Sequence, residues 1–154
     1  MKRIEQLGET YKDGMDAFDA YKRTLVRFFD KFIGEFASVL EAPASLFKIV
    51  RPDKRNSPTG LCFHSREDEL FDAIVDEGNG NWAIALELSI PSRGRPPFAL
   101  TLEFLIESKE DGYELTIRNQ DTTKFISSNE PIQLREFCHE LFEMIQHRLR
   151  MPKV

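Results

Sequence analysis

Between residues 10 and 41 the apolar side chains return every three or four positions, through Tyr11, Phe18, Leu25, Phe29, Phe32, Ile33, Phe36 and Leu40, which is the spacing of a helix. Val26, Phe28 and Val39 flank them, widening the apolar arc to about 160°. An arc that broad predicts a helix lying on a sheet. Thr10-Tyr11-Lys12-Asp13 has the form of a capping box, and Pro43 disfavours helical geometry at Ala42, so the helix is predicted over 10–41. Ile4 and Leu7 allow an earlier start, although Gly8 and Gly14 each cost a helix interior about 1 kcal/mol. A heptad pattern also runs through Ile4, Leu7, Tyr11, Phe18, Tyr21, Leu25, Phe28 and Phe32, but Gly14 and Glu35 stand at two of its seam positions and count against coiled-coil pairing.

Further along, the period changes from helical to alternating. Trp82 to Ile90 and Phe98 to Ile106 each alternate large apolar residues with others over nine positions, the pattern of half-buried strands. Tyr113, Leu115 and Ile117 continue it, 122–126 reads as a short strand, and 60–65 and 70–76 as two more. The links DEGNGN and SKEDG are short and rich in turn residues, which makes neighbouring strands antiparallel hairpins. From Pro131 to Arg150 the helical period returns, with Leu134, Phe137, Cys138, Leu141, Met144, Ile145 and Leu149 on one side. Acidic residues lie toward its start and Arg148 and Arg150 at its end, as the helix dipole favours.

One arrangement buries every apolar face: an α+β fold in which an antiparallel meander of five to six strands carries a long N-terminal helix and a C-terminal helix on one side. Residues 1–154 form a single domain in this reading. The stretch 51–60, RPDKRNSPTG, with two prolines, a glycine and three cations, is a flexible basic connector. If Ile90 opposes Phe98 and Glu107 opposes Gly112, the outer face has three rows: Glu87 with Thr101 and Arg118, Ala85 with Glu103 and Thr116, and Ala83 with Leu105 and Glu114. A polar ladder at one end and a shallow patch of Ala83, Ala85 and Leu105 at the other would follow. Most such faces are simply solvated.

Composition narrows the picture. Thirteen Phe against three Tyr and one Trp put most of the aromatic content in a core, because Phe has no polar handle for a half-wet surface. A net charge of -5 gives no general attraction to phosphate backbones or anionic lipid. The polar beginning MKRIEQLGETYKDG and the lack of any long apolar run predict a cytoplasmic protein with no membrane contact. Cys62 and Cys138, far apart and outside any zinc-type spacing, are expected to be free buried thiols in a reducing compartment.

The catalytic patterns fail one by one. Gly78-Asn79-Gly80-Asn81-Trp82-Ala83 has the letters of a dinucleotide loop, but a strand follows it where that loop requires a helix. His139-Glu140-Leu141-Phe142-Glu143 lacks the second histidine of a zinc protease helix, and His139, Glu143 and His147 share a face opposite the apolar stripe. Cys62 and His64 sit two apart on a predicted strand, beyond easy hydrogen-bond reach for a thiolate and its base. Glu87 and Glu103 resemble a hydrolytic carboxylate pair only until Arg118 and the threonines beside them are counted. No catalytic residue, metal or cofactor is assigned.

Basic loops remain: Arg51, Lys54 and Arg55 in the connector, and Arg93 and Arg95 in a hairpin at the opposite end, without aromatic stacking partners beside them. The function expected from these features is noncatalytic protein binding, through the long helix or the outer sheet face, with another protein or a second copy as homodimer. Candidate interface residues are Ala83, Ala85, Leu105, Glu87, Glu103 and Arg118. A small-molecule or lipid binder with a Phe-lined cavity between helix and sheet is the alternative. Nucleic-acid contact through the basic loops stands behind both.

Overall fold

The computed structural model describes residues 2–52, 63, 65–118, 120 and 122–150. Its elements are α1 (Arg3–Val39), a 3-10 turn (Ala44–Leu46), β1 (Phe47–Val50), α2 (Arg66–Ala73), β2 (Val75–Gly78), β3 (Asn81–Ser92), β4 (Arg95–Lys109), β5 (Gly112–Ile117), β6 (Thr122–Ser127) and α3 (Pro131–Arg150). The strands form one antiparallel sheet in the order β1-β3-β4-β5-β6. β2 shares with β1 the outer edge of β3, pairing Val75 with Ala83 where β1 pairs Val50 with Ala85. The expected α+β fold with a meander under two terminal helices is the fold observed. No helix among the described residues is long and apolar enough to cross a membrane.

The inward side chains of β3 and β4 form the floor of the core, with Trp82, Ile84, Leu86, Leu102, Phe104 and Ile106 all buried. α1 and α3 close it from above. Phe32 is the hub, its ring 5.2 Å from Phe29, 5.2 Å from Phe104, 5.7 Å from Phe36 and 5.8 Å from Phe137. These phenylalanines fill the space between helix and sheet with one another, Phe29 stacked on Phe32 and the other rings tilted or edge-on to Phe32, the geometries that aromatic quadrupoles favour. Glu35, one of the two residues that count against a coiled-coil seam, reaches Arg135 of α3 at 3.5 Å.

Two expectations are corrected and one element is added. α1 begins at Arg3, where the Lys2 backbone N–H donates to the Glu5 carboxylate, and Thr10 is no cap: its hydroxyl donates to the Gln6 carbonyl inside the helix. Residues 70–76 are not one strand, because Ser65 caps α2 by accepting from the Asp68 N–H and the acids Glu67, Asp68 and Glu69 favour the positive end of the helix. Only Val75 onward is extended. β1 went unpredicted because four residues, Phe47–Val50, are too few for alternation to stand out, and pairing with β3 supplies what local sequence lacks. The predicted strand over 60–65 and the connector over 51–60 lie outside the described residues, apart from Arg51, Pro52, Phe63 and Ser65.

Candidate functional site

The outer face of the sheet keeps part of the expected register. Glu87 opposes Thr101, Ala85 opposes Glu103 and Ala83 opposes Leu105. Between β4 and β5 the register differs by two residues, since the two-residue turn Glu110-Asp111, with Asp111 at φ 66°, lets Lys109 rather than Glu107 pair with Gly112. A two-residue shift preserves which side chains face outward but changes their neighbours. Thr116 therefore stands beside Leu105, and Arg118 beside Glu103, to whose carbonyl its N–H donates at 2.9 Å.

That shift makes an ion-pair network. Arg118 Nη1 donates to Glu103 Oε1 at 2.7 Å and to Glu77 Oε1 at 3.2 Å, linking β5, β4 and the end of β2 across β3. Its hydrogen bond to Glu103 is the leading reason the Arg118 guanidinium holds its proton more tightly than usual. The outward residues of β3 between these anchors are Ala83 and Ala85, whose small side chains leave room for the crossing and are buried. Leu105 is half-buried, and Glu87 pairs in register with Lys48 of β1. Glu103 thus lies against Arg118, while Glu87 stands one strand away, opposite Lys48 in register. The structure brings Glu103 and Arg118 together, and does not leave Ala83 and Ala85 open in the isolated chain.

The described basic candidates do not converge. Arg93 and Arg95 are exposed at the tip of the β3–β4 hairpin, beyond the last neighbouring strands, while Arg51 follows the end of β1 beside the middle of β3. Lys54 and Arg55, like Cys62 and His64, lie outside the described residues. Cys138 is a buried thiol, and burial pushes its pKa up to about 12. His139, Glu143 and His147 are exposed on α3, and no cluster of three metal-ligating side chains occurs among the described residues.

The most distinctive surface is on α1. At 37 residues this helix runs about 55 Å, longer than the sheet beneath it. Phe36 lies 5.4 Å from Phe47 near one end of the sheet, and Phe18 lies 5.2 Å from Trp82 at the other. Beyond Trp82 nothing among the described residues covers the helix: Arg3–Ala17 are all exposed. The apolar stripe nevertheless continues along this overhang, with Ile4 71%, Leu7 65%, Tyr11 71% and Met15 41% exposed, and Phe18 and Tyr21 half in contact with Trp82. It is one stripe with two environments. From Leu25 onward it is core; before Phe18 it is exposed, with no partner among the described residues. The heptad positions were visible in the sequence, but their exposure was not, because no local signal marks where the sheet ends.

Comparison with family models, with curated proteins and with solved structures finds no match to the chain.

Proposed function

We propose that this chain is a noncatalytic cytoplasmic protein-interaction module whose docking element is the overhanging half of α1. A single observation carries the reading: the apolar stripe that packs on the sheet through Leu25, Phe29, Phe32 and Phe36 continues uncovered through Tyr11, Leu7 and Ile4. Large apolar side chains aligned on one helix face, well separated from the core, mark a surface held for another molecule. A partner helix or groove that takes anchors at i, i+3 and i+7 fits this spacing.

The outer sheet face is a weaker candidate, since its charges answer one another through Arg118. The helix–sheet interior is also weaker as a ligand site, since its Phe rings already pack together. The test is recovery of the tagged chain from its native cells, intact and as an Ile4→Asp, Leu7→Asp, Tyr11→Asp variant. The intact chain is expected in a complex larger than itself and the variant as free monomer. If both run as the same free monomer, the reading is wrong.

A further inference from the structure

Resting on that reading, we infer that the occupant of the overhang is a second copy of this chain, laid antiparallel so that Tyr11 of each copy packs over Gly14 of the other. The argument begins with the interruption in the heptad. Glu35 lies in the covered half and pairs with Arg135, so within the overhang only Gly14 breaks the seam formed by Ile4, Leu7, Tyr11, Phe18 and Tyr21.

A parallel pair in register sets Gly14 against Gly14 and leaves a void where two side chains are missing. Reversing one helix removes the void. With the two-fold axis between residues 12 and 13, Ile4 opposes Tyr21, Leu7 opposes Phe18, and Tyr11 opposes Gly14, each layer occurring twice. The flanking positions then match large with small as well, Met15 opposite Gly8 and Thr10 opposite Ala17. Space for this exists, because a side chain added at Gly8 or Gly14 would meet nothing within 4 Å in the isolated chain. No acidic residue stands at the flanking positions between Arg3 and Lys22, so no carboxylate is desolvated by the pairing.

Length and area agree with this geometry. The overhangs overlap along their whole extent, and Ile4 of one copy reaches Tyr21 of the other, beside the Trp82 that supports it. The exposed surface of Ile4, Leu7, Tyr11, Met15, Phe18 and Tyr21 comes to roughly 700 Å² per copy, or about 1,400 Å² for a pair, inside the range of about 1,200–2,000 Å² of stable interfaces.

The experiment is sedimentation equilibrium of the purified full chain, followed by disulfide trapping in a Cys62→Ser background. A dimer is expected at tens of micromolar, with Leu7→Glu weakening it at least tenfold and the exposed Glu9→Gln leaving it unchanged. Mild oxidation of a Tyr11→Cys chain mixed with a tagged Gly14→Cys chain is expected to join the unlike chains. A wild-type monomer, an unaffected Leu7→Glu dimer, or preferential joining of Tyr11→Cys chains to one another would each overturn the inference. A monomeric purified protein that still forms a stripe-dependent complex in native cells would end self-association while leaving the protein-binding reading intact.

Discussion

At Gly112 the β6 backbone comes so close that a methyl group has nowhere to go. A Cβ there would stand 2.3 Å from the Ile126 carbonyl oxygen and 3.0 Å from Ser127 Cα, both backbone atoms that move only with the strand. Gly112→Ala is expected to cost about 1–3 kcal/mol, seen as a lower urea midpoint at unchanged slope. An unchanged midpoint would mean that β6 shifts freely. Sequence alone marks this glycine only as part of a turn signal, because the contact that requires it comes from the next strand. Arg118 teaches the same lesson: its outward direction was legible from alternation, but its partner depended on a register that the two-residue turn at Glu110-Asp111 settles.

Elements were legible in proportion to their length. β3, β4 and α3 offer many repeats of one period: α3 has its predicted bounds, and the two strands contain their predicted nine-residue cores while running on to Asn81–Ser92 and Arg95–Lys109. α2 has eight residues, barely two turns, so periodicity is a poor guide and its cap becomes the deciding feature. Ser65→Ala removes the side-chain acceptor for the Asp68 N–H and is expected to destabilise the protein by about 1 kcal/mol, measured by chemical denaturation. A loss indistinguishable from zero would show that α2 is held by Leu70 and Ile74 in the core rather than by its start. Arg66 adds a tie of its own, since its Nε donates to Asp30 of α1. α1 is the opposite case: its period was clear throughout, yet periodicity is blind to what lies opposite each turn.

For the molecule as a whole, Cys138 links the core to pH. Burial first, and the nearby Glu35 carboxylate second, raise its thiol from 9.0 to about 12. The unfolded thiol loses its proton near 9 and the folded one keeps it, so the native state binds more protons across that window. Stability from this group is intact below pH 9 and is lost as pH rises from 9 to about 12, by up to about 1.4 kcal/mol per pH unit. Denaturation of wild type and Cys138→Ala at pH 8 and pH 10.5 checks this, the wild type being expected to lose more stability between the two. Equal losses would place the alkaline sensitivity elsewhere.

Local periodicity was enough to specify an α+β chain, the alternating strands, the two terminal helices and which face of each is apolar, because those patterns are written in neighbouring residues. Tertiary structure alone decided where the sheet stops under α1, that β1 and β2 share one edge, and that Arg118 bridges Glu103 and Glu77. Each of these depends on the position of a distant strand. The helix carries the same kind of stripe at Leu7 as at Phe32, and only the extent of the layer beneath leaves one exposed and makes the other core.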